Sequence, residues 1–212
     1  TPIGSSASGV FFAFLPTFTR KQRINEKKSA PFRLNLLVLA TFAPTFNLYL
    51  YYYESFARAN DIHLVIVDVQ HDFAHPAGAL FVPGAEQAVE NIAQLLHDPR
   101  VTQLTFTLDW HPYDHSSFAD QGGTWPRHCV QYSKGASLHE SLWVEHFDRF
   151  TTHFVRKGQQ QACEEYGAFA APTDEQREWL HQGRLVVCGI AGDYCVLETL
   201  KNIRSVRPDV EV

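Results

Sequence analysis

The sequence predicts an α/β fold in which a mainly parallel β-sheet carries helices on both faces. Short apolar and β-branched runs, of which residues 63–69 are the first, are typical of strands that are buried on both sides. They alternate with segments of helical spacing such as residues 84–98, where the apolar side chains fall on one face. Strands that alternate with helices are joined by crossover connections, and such connections give parallel sheets.

The same pattern gives five strands and three helices, all within residues 61–212. The second helix has the clearest boundaries, because Thr173 and Gln176 have the spacing of a capping box and Gly183 follows as a stop signal. The last strand meets the end of the chain, so we expect the domain to be truncated at its C-terminus. The predicted strands are 63–69, 101–109, 152–158, 184–191 and 210–212, and the predicted helices are 84–98, 172–183 and 193–206.

Composition and charge restrict the class of protein. The 212 residues are 45% apolar, which is enough for the core of one domain with extensions. The four cysteines form no C-x-x-C pair, which argues against a disulfide framework and for a reducing, cytoplasmic location. Residues 1–60 hold seven of the 18 Lys and Arg but only two of the 23 Asp and Glu, so the remainder is acidic. An acidic body argues against nucleic acid as a partner.

Residues 1–60 also differ from the rest in pattern, and we predict them to be an N-terminal extension that precedes a single domain at 61–212. Residues 34–53 carry no charge and are long enough to cross a bilayer, which takes ~20 apolar residues. Pro44 and several Asn and Thr residues interrupt this run, so we favour an appendage without a folded role and expect no membrane partner. A membrane anchor or an organelle-targeting leader is the alternative.

Three polar residues fall at the carboxyl ends of predicted strands, where ligands bind in open parallel sheets. Asp68 ends the first strand, Lys157 ends the third and Cys195 follows the fourth. A cysteine that starts a helix beside a lysine is expected to ionise readily and to act as a nucleophile, with the carboxylate as a proton shuttle. The alternative for a free cysteine is a buried apolar role, which we assign to Cys129, Cys163 and Cys188.

A second polar group follows the predicted strand 101–109. Asp109 and His111 place two ligand groups on one side of an extended segment, and a third histidine, His115 or His128, can complete a set of three. Mixed carboxylate and imidazole ligands suit a divalent ion such as zinc, iron or manganese. The chain holds 11 histidines, so a chance grouping of surface histidines is the alternative.

Six segments of the chain together resemble the nicotinamidases, also called pyrazinamidases, which belong to the isochorismatase-like cysteine hydrolases. The segments are "VIVDVQHDF", "DWHPYDHSSF", "WPRHCVQYSKGASLH", "VRKG", "YGAF" and "CGIAGDYCV", in that order between residues 62 and 212. The resemblance implies a three-layer α/β/α fold of the isochorismatase-like hydrolase type. The site residues that it implies are a catalytic triad of Asp68, Lys157 and Cys195, and the metal ligands Asp109, His111 and His128, with zinc preferred over iron or manganese.

The resemblance also implies an oxyanion hole. The backbone N–H groups of Ala191 and Cys195 would form it, beside a cis peptide bond between Ile190 and Ala191. Gly192 stands where the family commonly has threonine, and Gly167 where serine is usual; both departures are mild.

Substrate contacts follow from the same comparison of motifs. The aromatic residues that flank the pyridine ring in the family correspond to Phe73, Trp125 and Tyr166. His115 corresponds to a metal ligand in some members only, so its role is left open.

The activity implied by the resemblance is hydrolysis of nicotinamide to nicotinate and ammonia through a cysteine thioester, as a step of NAD salvage. Pyrazinamide is expected to be hydrolysed as well. One alternative is a related cysteine hydrolase of another small amide, for which the metal motif would have no purpose. Another is a non-catalytic fragment that retains the ring-binding site. The expected partner is the small-molecule substrate, and self-association of the chain is left open.

Overall fold

A computed structural model describes residues 13–15 and 61–208, and within them five strands form one sheet. The strands are β1 Ala13–Leu15, β2 Ile62–Val67, β3 Val101–Asp109, β4 Thr151–Lys157 and β5 Arg184–Gly189. Their order across the sheet is β1-β5-β2-β3-β4. The four longer strands run parallel, and β1 pairs antiparallel with β5. The prediction of a mainly parallel sheet is confirmed.

Four α-helices connect or follow these strands. They are α1 His71–Ala74, α2 Ala85–Leu95, α3 Asp174–Leu180 and α4 Leu197–Val206. The predicted capping box of α3 is present: the Thr173 hydroxyl accepts a hydrogen bond from the Gln176 N–H at 3.2 Å, and the Gln176 side chain accepts one from the Thr173 N–H at 3.0 Å. The helix predicted from residue 193 begins instead as a π-helical turn, Gly192–Val196, that leads into α4.

Alternate residues of β2 pack into two different cores, which explains its continuous apolar run. Leu64 packs on one face of the sheet together with Ile92 of α2. Val65 packs on the opposite face together with Ile203 of α4 and Leu180 of α3. Both β2 residues are fully buried, and burial of such a side chain contributes roughly 1.5–3 kcal/mol. Helices therefore cover both faces of the sheet, and the fold is the predicted three-layer α/β/α arrangement.

A long connection, residues 110–150, follows the carboxyl end of β3. Three turns of 3₁₀-helix, Ala119–Gln121, Glu140–Leu142 and Phe147–Arg149, lie between β3 and β4. β2 ends at Val67, two residues before the predicted end, because Asp68 has a positive φ of 50° and leaves the direction of the strand.

Several predictions fall on other parts of the chain. The predicted strand 210–212 and the uncharged run 34–53 lie outside the described residues. The division at residue 60 stays a prediction. β1 lies within the predicted extension and pairs with β5, so for Ala13–Leu15 the expectation of no folded role is wrong. None of the helices within the described ranges has both the length and the apolar character needed to cross a membrane.

Candidate active site

The three residues predicted to form a catalytic triad meet at the carboxyl ends of the parallel strands. Asp68 directly follows β2, Lys157 is the last residue of β4, and Cys195 lies in the π-helical turn after β5. The Lys157 Nζ lies 2.7 Å from Asp68 Oδ2 and 3.5 Å from Cys195 Sγ. All three side chains are buried. Residues that are far apart in the sequence are thus brought into one group.

Asp68 is oriented by the neighbouring strand. Its Oδ1 accepts a hydrogen bond of 2.5 Å from the Thr107 hydroxyl, and its N–H donates to the same hydroxyl at 3.2 Å. Lys157 is within ion-pair distance of Oδ2, but no described group makes a well-directed hydrogen bond to this oxygen. Burial raises the pKa of Asp68, against the opposing effect of Lys157. The carboxylate is therefore held in place by one oxygen and can accept a proton at the other.

Lys157 is a buried cation between two carboxylates. Its Nζ binds Oδ1 of Asp109 as well as lying beside Asp68, and it reaches the Glu165 carbonyl oxygen at 3.4 Å. Burial would lower the pKa of Lys157, but the two carboxylates outweigh burial and raise this pKa well above its usual value. Lys157 consequently keeps its positive charge, which is available to Cys195.

Burial opposes the ionisation of Cys195, which corrects one expectation. Burial raises the pKa of this thiol well above its usual value and outweighs Lys157, which lowers the pKa, while Asp68 and Asp109 raise it further. The expectation that the helix start and Lys157 together would lower this pKa is therefore wrong in direction. The thiolate must therefore form during the reaction, by transfer of its proton to a base.

The other cysteines divide into two groups. Cys129 and Cys188 are buried, as predicted, and burial raises the pKa of both thiols. Cys163 is exposed, so its predicted burial is wrong. It lies in the surface loop after β4, where its carbonyl oxygen rather than its sulfur contacts the protein interior, as the partner of His115.

The predicted metal ligands also converge. The Asp109 Oδ2 lies 3.5 Å from His111 Nε2 and 3.8 Å from His128 Nε2, and one ligand atom from each residue lies within 4.8 Å of the others. All three side chains are buried. This grouping excludes the alternative of scattered surface histidines.

Backbone carbonyls fix both imidazole rings. The Nδ1 of His111 is 3.0 Å from the Gly158 carbonyl oxygen, and the Nδ1 of His128 is 2.8 Å from that of Pro126. A carbonyl can only accept, so each Nδ1 must carry a proton, and in the neutral ring each Nε2 presents a lone pair. Gly158 has a φ of +64°, and a side chain there would overlap the His111 ring, so this close support requires glycine.

These donors fit a divalent metal ion. Two imidazole lone pairs and one carboxylate oxygen point at a common position, an arrangement that is repulsive unless a cation or a proton is shared between them. His111 Nε2 is buried and has no hydrogen-bond partner among the described residues. Burial would lower the pKa of His111, but Asp109 outweighs burial and raises it, so the position attracts positive charge. Asp109, His111 and His128 are the ligand types that zinc, iron or manganese take.

His115 lies beside this set but faces other partners. Its ring centre is 4.2 Å from that of His111. Its Nε2 is 3.1 Å from the Cys163 carbonyl oxygen, and its Nδ1 is 2.7 Å from the Ser117 hydroxyl. Both ring nitrogens are engaged, so His115 supports the site without joining the group of ligand atoms.

The predicted oxyanion hole lies at the start of the turn that holds Cys195. The peptide bond between Ile190 and Ala191 is cis, as predicted. Ala191 directly precedes the π-helical turn Gly192–Val196, and its carbonyl oxygen accepts hydrogen bonds from the N–H groups of Tyr194 at 3.2 Å and Val196 at 3.1 Å. The N–H groups of Ala191 and Cys195, which the resemblance assigns to the oxyanion hole, lie at the beginning of this turn and within it.

The predicted aromatic residues lie on two sides of the site. The Phe73 ring is 5.4 Å from the ring of His128. The Trp125 Nε1 donates a hydrogen bond of 3.2 Å to the Tyr166 hydroxyl. Tyr194, which the sequence did not single out, contacts both members of this pair at ring distances of 5.6 Å. Its position directly before Cys195 is the signal that could have identified it.

Comparison with known proteins places this site in a family. Residues 63–204 match the isochorismatase domain, and the chain belongs to the isochorismatase family. The relatives that it resembles include several nicotinamidases. The nicotinamidase of Escherichia coli is 34% identical over 161 residues, which cover 65% of this chain and 73% of that protein.

Solved structures agree. PnC1 from L. infantum in complex with nicotinate is 35% identical, with a TM-score of 0.61, and the match covers 70% of this chain and 76% of that one. The pyrazinamidase of Pyrococcus horikoshii in complex with zinc is 30% identical, with a TM-score of 0.58 and coverage of 69% and 79%. The identification from sequence motifs is confirmed.

Proposed function

We propose that the protein hydrolyses the carboxamide of nicotinamide to nicotinate and ammonia. The observation that carries this proposal is the position of Lys157 Nζ, 2.7 Å from Asp68 and 3.5 Å from Cys195. A thiol, a cation and a proton acceptor in one buried group can support attack on an amide. The similarity to nicotinamidases supports nicotinamide as the substrate.

The first half of the reaction forms a thioester. Cys195 Sγ attacks the amide carbon while its proton passes to Asp68, whose raised pKa makes it a better proton acceptor. The N–H groups of Ala191 and Cys195 hold the negative oxygen of the tetrahedral intermediate. When this intermediate collapses, the C–N bond breaks and Asp68 returns the proton to the nitrogen, so that ammonia leaves.

The second half releases the acid. Asp68, again a carboxylate, accepts a proton from a water molecule that attacks the thioester carbon. The C–S bond then breaks, nicotinate leaves, and the proton held by Asp68 returns to the Cys195 sulfur. Lys157 stays positive throughout and stabilises the negative charge on the sulfur each time it forms.

The metal site accounts for recognition of the pyridine ring. Asp109, His111 and His128 would hold a divalent metal, with zinc as the first choice since the pyrazinamidase of Pyrococcus horikoshii is a zinc complex. A metal bound there would act as a Lewis acid toward the ring nitrogen, directly or through water. Trp125 and Phe73 would lie along the faces of the ring and fix its orientation.

The same site would hydrolyse pyrazinamide, because that ring keeps a nitrogen in the equivalent place. We propose that the hydrolysis of nicotinamide to nicotinate serves NAD salvage. A hydrolase of another small amide remains the competing function, and it would not require the three metal ligands.

Ammonia release by the full chain tests the proposal. Zinc-loaded protein is mixed with nicotinamide, ammonia is followed by a coupled assay, and nicotinate is identified by chromatography. We expect both products in equal amounts. Absence of nicotinate, with ammonia released from a different small amide, would contradict the proposal.

A further inference from the structure

Gln70 has a buried side-chain amide that lies between the predicted catalytic triad and the predicted metal ligands and belongs to neither group. Its Nε2 donates hydrogen bonds to the carbonyl oxygens of Asp109 at 2.8 Å and Ala136 at 2.9 Å. Its Oε1 accepts a hydrogen bond of 2.8 Å from the Asp109 N–H. The side chain has no exposed surface. All three hydrogen bonds of this amide are thus made to backbone groups, and two of them are made to Asp109.

The reason for these contacts lies in the way β2 ends. β2 and β3 pair in register as far as Val67 and Thr107. Asp68 then turns away with a φ of 50°, and the Gln70 N–H bonds back to the Asp68 carbonyl at 2.8 Å. No backbone of β2 continues opposite Asp109. A buried peptide group without a partner costs about as much as a lost hydrogen bond, and the Gln70 amide supplies both missing partners.

Because the Gln70 side chain takes the place of the missing β2 backbone, the carboxylates of Asp68 and Asp109 can both enter the site. Asp68 can leave the strand and point at Lys157, while Asp109 keeps the backbone geometry of a strand residue because the Gln70 side chain completes its pairing. The backbone of Asp109 determines where its carboxylate lies, and that carboxylate faces Lys157 with one oxygen and the two histidines with the other.

We infer that Gln70 is a positioning residue that sets the affinity of the Asp109, His111 and His128 group for a divalent metal. This inference rests on the metal site of the proposed function. Residues that orient metal ligands typically change metal affinity 10–100-fold when they are replaced.

A purely structural role is the competing explanation, and the chain offers a matched control. Gln103 is also buried, and its Nε2 lies 2.9 Å from Nε2 of His153. It lies on the same strand as Asp109, six residues earlier in the sequence. Its loss should destabilise the fold without reaching the metal ligands.

The test measures Zn²⁺ affinity of the full chain by competition with a chromophoric chelator, for the wild type, Gln70→Leu, Gln70→Glu and Gln103→Leu. Thermal unfolding of the metal-free proteins reports on the fold. Gln70→Glu keeps the size of the side chain but places a carboxylate against two carbonyl oxygens. This variant tests the inference if Gln70→Leu does not fold. We expect both Gln70 variants to weaken zinc binding about tenfold or more, and Gln103→Leu to bind as the wild type does.

The inference would be overturned if the folded Gln70 variants bound zinc with the affinity of the wild type. It would also be overturned if Gln103→Leu lost as much zinc affinity as they do, or if the wild type bound no zinc. Ammonia release from nicotinamide by the wild type is recorded separately, so failure of the proposed activity is distinguished from failure of the role of Gln70.

Discussion

Lys157 and Asp109 share a buried contact that joins the predicted catalytic triad to the predicted metal ligands. The Lys157 ammonium binds Oδ1 of Asp109, and the Oδ2 of the same carboxylate faces His111 and His128. Burial would raise the pKa of Asp109, but Lys157 and His111 outweigh it and hold this pKa well below its usual value. Asp109 therefore stays ionised: its Oδ1 is the counter-ion of Lys157, and its Oδ2 is the oxygen that the proposed metal would use.

Replacement of Cys195 and replacement of Cys188, both buried, should have opposite results. Cys195→Ala should abolish nicotinamide turnover because it removes the attacking sulfur, while Cys188→Ala should keep activity because this thiol only fills the core. Steady-state ammonia release and circular dichroism of both variants provide the measurement. If the two substitutions changed turnover to the same extent, Cys195 would not be the nucleophile.

The base is tested by Asp68→Asn. The amide cannot accept the proton of a thiol whose pKa burial has raised, so kcat should fall about 10²–10⁴-fold. The exposed Asp148 provides the control, since Asp148→Asn should turn over nicotinamide as the wild type does. A kcat for Asp68→Asn within the range of this control would remove Asp68 from the mechanism.

The charge of Lys157 should be visible in the reactivity of Cys195. Lys157→Met removes the one cation that lowers the thiol pKa and leaves both carboxylates, so alkylation by iodoacetamide at neutral pH should slow. Peptide mass spectrometry separates Cys195 from the exposed Cys163, which serves as an internal control and should react at an unchanged rate. The exposed Lys201→Met is the matched variant. Equal alkylation rates at Cys195 in all three proteins would show that Lys157 does not act on the thiol.

Strand ends were the informative part of the sequence. Asp68, Lys157 and Cys195 are predicted to meet because the carboxyl ends of parallel strands lie at one edge of a sheet, and the distances agree with this. The boundaries of β3 and the capping box of α3 were also predictable, because each depends on a local pattern.

Other features depend on side-chain geometry that no local pattern records. The sharing of Asp109 between Lys157 and the histidines requires the register of β3 against β4. The raised pKa of Cys195 results mainly from burial, which outweighs the cation Lys157 and is reinforced by Asp68 and Asp109. Thr107 and Gln70 were missed, although each lies two residues from a predicted carboxylate, Asp109 or Asp68.

A buried histidine away from the site predicts the response of the fold to acid. The Nδ1 of His63 lies 3.2 Å from the Trp179 carbonyl oxygen, and its Nε2 lies 2.7 Å from the Thr105 hydroxyl. Burial, with smaller contributions from His153 and Arg207, lowers the pKa of His63 from 6.5 to about 3. The unfolded chain therefore binds a proton between these values and the folded protein does not.

The contribution of His63 to the free energy of unfolding should consequently be complete above pH 6.5. It should decrease by about 1.4 kcal/mol per pH unit as the pH falls from 6.5 toward 3. Urea unfolding between pH 7 and pH 5 measures the slope. His63→Gln should flatten the slope, and the exposed His97→Gln should leave it as in the wild type. An identical slope in all three proteins would assign the acid sensitivity to other groups.

The preference for nicotinamide over benzamide tests the central claim. This claim is that a metal held by Asp109, His111 and His128 positions a pyridine amide for attack by Cys195. The two amides have the same shape, but benzamide lacks the ring nitrogen. In the zinc-loaded protein, kcat/KM for nicotinamide should greatly exceed that for benzamide, pyrazinamide should also be hydrolysed, and His111→Ala should reduce the difference. Equal kcat/KM values for nicotinamide and benzamide in the zinc-loaded wild type would contradict the account.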